Sequence, residues 1–161
     1  FSEGLMDFYI HELSKYCLYQ MFEGNWEKSA KYNSLKIPMS KVEAALFSSK
    51  SEDWFFEHIN DEYCRTVFLG SDPMKEQLNL IGVPFKDVVA RAFPELQFGE
   101  AKDKINRLFA RRNRIVHQND RDHATAQQED IEPSFVREYV SDVRNLVGSM
   151  HDIAISKESN E

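Results

Sequence analysis

A chain of 161 residues and 18.8 kDa, with 42% apolar, 29% charged and 12% aromatic side chains, has the material for one core and the length of one ordinary domain. That composition excludes the disordered, collagen-like and disulfide-scaffold classes, which lack core-forming residues or are saturated with Cys. A net charge of −7 and a pI near 5.3 exclude a protein whose whole surface grips nucleic acid.

Six Gly and five Pro punctuate long stretches with helical spacing, which predicts an all-α fold, a helical bundle of about five to seven helices in a single domain over residues 1–161. From residue 2 to about 23, Met6, Ile10, Leu13, Cys17 and Met21 form one stripe of a long helix, closed by Gly24 or by the stretch 33–38. Ser40 and Glu43 have capping-box spacing and predict a short second helix carrying Val42, Ala45 and Leu46. The middle, 51–94, resists assignment because its apolar residues come in clumps, Trp54-Phe55-Phe56 and Val67-Phe68-Leu69. Within it, Asp72-Pro73 reads as an N-cap and first helical position, opening a helix through Leu80 that Gly82 ends. Another short helix is expected from Phe85 to Phe93.

A strong helix follows at about 100–117, then a polar loop over 118–129, then the clearest helix of the chain at about 133–155. In that last helix Val136, Tyr139, Val140, Val143, Leu146, Val147, Met150 and Ile153 recur every three or four residues. Two long helices joined by about fifteen mostly polar residues should pair antiparallel, with the first helix as third member of the bundle. The uncharged apolar-rich stretches 16–22 and 77–85 fall far short of the ~18 residues that cross a bilayer, so no membrane span is expected. Cys17 and Cys64 lie far apart and outside C-x-x-C spacing, which predicts reduced, buried thiols and a cytoplasmic protein. The opening Phe1 in place of Met reads as a boundary, leaving room for a signal upstream.

Between 101 and 122 the charge balance reverses: Lys102, Lys104, Arg107, Arg111, Arg112, Arg114 and Arg121 stand against Asp103, Asp120 and Asp122. That local +4 leaves −11 for the rest of the chain. On charge alone the segment reads as a solvated helix face paired with acids elsewhere, with an anion site as the second reading. At about 100° per residue, Arg112 falls inside the apolar stripe of Ile105, Phe109 and Val116. Asn113 and His117 share a face at its edge, Arg111 flanks the opposite edge and Arg114 points away. An Arg in an apolar stripe needs a partner or a route to water, so either a core acid, an extended stem or a functional cluster is implied. Arg followed by His at this spacing occurs about once by chance in such a chain, so spacing decides nothing by itself.

The stretch Arg-Asn-x-Ile-Val-His at 112–117, closing a long helix ahead of a polar loop and a long apolar-striped final helix, resembles the HEPN superfamily (higher eukaryotes and prokaryotes nucleotide-binding domain). The wider wording Arg-Arg-Asn-Arg-Ile-Val-His-Gln-x-Asp, with Glu57-His58-Ile59-Asn60 and Leu80-Ile81-Gly82 upstream, is most similar to the RiboL-PSP-HEPN branch. The resemblance is specific over about 100–155 and diffuse over about 40–99, and the first forty residues match only as a long helix.

The resemblance implies an all-α bundle that dimerises about its motif helices and shares a metal-independent endoribonuclease site between two chains, needing no cofactor. It places the catalytic roles on Arg112 and His117, with Asn113 positioning. Arg111 and Arg114 carry no family role; with Arg107 and Arg121 they are expected to contact RNA phosphates. Such members act as toxins or abortive-infection effectors, which implies an RNA substrate, tRNA included, and an antitoxin or defence-system partner. Cleavage through the RNA's own 2′-hydroxyl needs a base, a cation for the phosphorane oxygens and an acid for the departing 5′-oxygen. One imidazole cannot be both base and acid in one step, but a two-fold axis along this helix would supply two His117 and two Arg112. The alternatives are a non-catalytic dimerisation or binding module, its acidic remainder suited to a basic partner, and a helical companion to a nucleotidyltransferase.

Overall fold

The computed structural model describes residues 2–47, 54–118 and 132–157, with side chains described for 4–47, 54–113 and 132–157. Among them are seven α-helices and no strand: α1 (Ser2–Glu23), α2 (Met39–Phe47), α3 (Trp54–Tyr63), α4 (Ser71–Leu80), α5 (Phe85–Ala92), α6 (Phe98–Gln118) and α7 (Pro133–Ile155). A single 3-10 turn, Tyr32–Ser34, lies between α1 and α2. The all-α expectation holds.

The α1 stripe is the floor of the core, with Met6, Ile10, Leu13, Cys17 and Met21 all buried against α3 and α7. Gly24 stops the helix, its N–H bonded to the Met21 carbonyl at 3.3 Å. Helix α3 was hidden in the aromatic clump. Phe55 turns inward and stacks on Phe22 with ring centroids 4.4 Å apart, Trp54 meets Phe22 edge-on at 5.6 Å, and Phe56 is left exposed. Three adjacent aromatics face three directions on a helix, so only one enters the core and no period is visible in the sequence. Helix α2 buries none of its residues, and Leu46 and Phe47 are strongly exposed.

Three expectations are corrected in detail. Helix α2 begins at Met39, its first turn closed by Lys41 and Val42 N–H groups on the Pro38 carbonyl, so Ser40 lies inside the helix. Helix α4 begins at Ser71 with Gly70 as N-cap at φ +103°, a conformation that Gly adopts without penalty; Asp72 sits in the first turn. The capping acceptor comes from another helix: the Asn106 side-chain oxygen on α6 accepts the Ser71 N–H at 2.9 Å. Cys64 is exposed, unlike buried Cys17, because α3 ends at Tyr63 and leaves it on a surface turn. Gly82, at φ +70°, does end α4.

Because Asn106 ties α4 to α6, Asn106→Ala is expected to lower stability by about 1 kcal/mol, the usual worth of a helix cap. Urea unfolding would register it as a lower midpoint at unchanged slope.

The long helices pack differently from a simple antiparallel pair. Short α5, apolar on one face through Phe85, Val88, Val89 and Ala92, makes the most extensive contact with α7 and also touches α6 and α4. Helices α6 and α7 therefore flank α5 and meet across a cleft through long side chains. Lys104 reaches Glu138 and Asp142, and further along Arg111 reaches Phe135; the reversed order means the two run antiparallel. Helix α1 packs on α7, as expected of the third member.

Candidate nucleic-acid interface on the motif helix

Helix α6 begins at Phe98, with Glu100 in its first turn accepting the Gln97 N–H at 2.8 Å, and is seated by buried Ala101, Ile105, Leu108 and Phe109. Those positions continue to Arg112, which is half-buried: the stripe passes from hydrocarbon to guanidinium as the helix leaves the core. Arg112 Nη1 donates to Asn113 Oδ1 at 3.0 Å, and Asn113 itself is exposed. The structure thus brings Arg112 and Asn113 together. The helix backbone continues unbroken through Gln118, so residue 117 follows 113 by about one turn on the same face. The side chains of Arg114 and His117, and the whole of Arg121, lie outside the described residues.

The basic segment divides into two parts. Its early lysines are committed to acids on other helices, Lys102 to Asp72 at 3.0 Å and Lys104 to Glu138 and Asp142 at 3.2 and 3.1 Å. Those pairings fit the solvated, paired face expected from charge alone. Further along, Arg107 is exposed on the wall of the cleft, and Arg111 is half-buried with its guanidinium 5.6 Å from the Phe135 ring centre.

That cleft, of about 390 Å³, is lined by Leu96, Lys104, Arg107, Leu108, Phe135, Glu138, Tyr139 and Asp142. Asp142 forms its floor at 5% exposure. Burial pushes the Asp142 carboxyl above the usual carboxylate range, more than Lys104 beside it pulls it down. For Lys104 burial works against the charge, but hydrogen bonds to Asp142 and Glu138 outweigh it and hold the ammonium above its ordinary value. Both groups therefore hold their protons more firmly than in water.

The apolar repeat of α7 does not reveal this cleft: it suggests one continuous stripe, whereas Val136 and Val140 are 45% and 41% exposed and the buried apolar stripe begins only at Val143. The available signal was Asp142 itself. It is three residues after Tyr139 and four before Leu146, which puts an acid in line with the core-facing residues.

The sequence model of one protein family, RiboL-PSP-HEPN, matches residues 4–156, nearly the whole chain. The chain belongs to the RiboL-PSP-HEPN family. No curated protein and no solved structure matches it. The family's extent takes in α1 and the middle helices, where residues alone gave only a diffuse likeness, and it includes both walls of the cleft. No helix among the described residues of this HEPN chain is long and apolar enough to cross a membrane.

Proposed function

We propose that this HEPN protein is a metal-independent endoribonuclease that cleaves RNA by attack of the 2′-hydroxyl on the adjacent phosphate. The observation that carries the reading is the placement of Arg112, half-buried at the end of an apolar stripe and hydrogen-bonded to exposed Asn113, on a helix that continues through 117. A guanidinium whose stem extends the apolar stripe at the surface end of the helix suits a phosphate-binding group.

Two copies meeting along α6 would place two Arg112 and two His117 in one groove. One neutral imidazole takes the 2′-hydroxyl proton and its protonated mate gives one to the leaving 5′-oxygen, while the guanidinium ions neutralise the phosphorane oxygens. With an ordinary pKa near 6.5, histidine serves in either state at neutral pH. The exposed Phe135, Val136 and Val140 at the start of α7 give a second copy an apolar surface beside that groove. Arg107, Arg111, Arg114 and Arg121 supply further phosphate contacts, giving a locally basic strip on an acidic protein. The biological setting we infer is a toxin or antiviral effector acting on RNA, tRNA among the substrates, held in check by an antitoxin or defence-system partner.

The test is cleavage of structured and single-stranded RNA in EDTA. Products ending in 2′,3′-cyclic phosphate, and cleavage undiminished by chelation, are expected. A folded dimer that cuts no RNA yet captures a stable partner would instead favour a binding module. In cells, expression should slow growth and Arg112→Ala should relieve it.

A further inference from the structure

The cleft between α6 and α7 has the chemistry of a base-recognition pocket. Leu96, Leu108, Phe135 and Tyr139 give it apolar or aromatic surface, Arg107 and Glu138 are exposed, and Lys104 and Asp142 are its less exposed polar groups. Asp142 Oδ1 accepts from Lys104, but Asp142 Oδ2 is buried with no hydrogen-bond partner among the described residues, and so is the Tyr139 hydroxyl. An acceptor oxygen left unanswered in a buried carboxylate costs stability unless a ligand supplies a donor. The ammonium beside it has three N–H donors, of which the bonds to Glu138 and Asp142 account for two.

A donor next to an unanswered carboxylate oxygen is complementary to a flat ring edge that presents an acceptor next to donors. Among the RNA bases, guanine presents O6 beside N1–H and the N2 amino group. Uracil presents O4 beside a single N–H, and adenine and cytosine each present one amino donor beside one acceptor, so guanine alone matches the pair with two adjacent donors for the carboxylate. The cleft volume of about 390 Å³ accommodates a purine, and Phe135 and Tyr139 offer rings for it to stack on. Phe135 also carries the Arg111 guanidinium, which makes the cleft continuous with the motif end of α6.

We propose that this cleft binds a guanine base of the RNA, with the Asp142 carboxylate accepting from N1–H and the N2 amino group and Lys104 donating to O6. It rests on the nuclease reading for its biological use, but not for its chemistry. Asp142, Lys104 and Tyr139 act as specificity-determining residues, Lys104 about two helical turns before Arg112 on α6 and all three outside the reacting groups.

The binding arm of the test needs no cleavage. The 161-residue chain is titrated with the 5′-monophosphates of guanosine, inosine, adenosine and uridine while the Tyr139 and Phe135 ring signals are followed by NMR. Guanosine monophosphate should bind most tightly, inosine monophosphate should bind about tenfold more weakly for lack of the N2 amino group, and Asp142→Asn should remove the discrimination. Tyr139→Phe, which leaves the Lys104–Asp142 pair in place, should weaken guanosine binding in a chain whose circular dichroism is unchanged. Equal binding of all four, no binding, or a preference for uridine overturns the proposal. The cleavage arm separates the two readings. Cuts without base preference, with no guanosine selectivity, leave the nuclease standing and remove the guanine pocket. Selective guanosine binding by a protein that cuts nothing leaves the pocket and removes the nuclease.

Discussion

His117→Ala is expected to reduce RNA cleavage by at least about 10²–10⁴-fold, the range contributed by a single acid or base, because the variant dimer loses both. The proposed chemistry divides two proton transfers between two copies of one side chain, so the wild-type rate should rise and fall with pH around neutrality. The ascending limb follows deprotonation of the base and the descending limb follows deprotonation of the acid. Mixing gives a sharper result. Excess His117→Ala protein should suppress wild-type activity beyond simple dilution, since each mixed dimer retains one imidazole and cannot perform both transfers. Rate measurements across mixing ratios and across pH test this, and activity that survives the substitution rejects the proposed roles. Arg112→Lys separates charge from geometry: an ammonium keeps the cation but not the planar fork that grips two phosphate oxygens. It should fall between wild type and Arg112→Ala.

The largest loss of stability is expected from Leu146→Ala. Leu146 is fully buried at the centre of the α7 stripe, between Val143 and Met150, where α7 packs on α5 and α1. Removing its branched end takes apolar surface out of the core and leaves a cavity that rigid neighbours fill only partly, which costs about 2–5 kcal/mol. Denaturant unfolding should detect that drop, and Val136→Ala on the exposed half of the same helix should change little. Equal effects at both positions would mean that the exposed half is covered in solution.

Much of the fold could be read from periodicity, and the failures have physical causes. The stripe of α1 follows 3.6-residue spacing because one face meets the core along its whole length, and its bounds agree with the structure. The bounds of α7 were legible too, from Pro133 at the first turn to the end of the apolar repeat at Ile153. What lay beneath α7 was not, because a repeat of apolar residues does not say whether it faces a core, a partner or water. Helix α3 was invisible since its aromatic residues are adjacent. The cap of α4 was misplaced since its acceptor, Asn106, is 35 positions away in the chain. Of the site, the half-burial of Arg112 in line with the apolar stripe and the exposure of Asn113 followed from helix geometry. The cleft beside them did not, because it is made by two helices whose facing residues no local pattern connects.

Helix α7 is one rod with two surroundings. From Asp142 onward it is sunk among α1 and α5, so its backbone amides can exchange with solvent only when the molecule opens as a whole. Its first two turns have water on most sides and are expected to open more readily than the rest. Whatever settles on those turns must select the wound form, so some of its binding energy is spent on ordering. Occupancy would then be visible as slowed amide exchange confined to the leading end of α7.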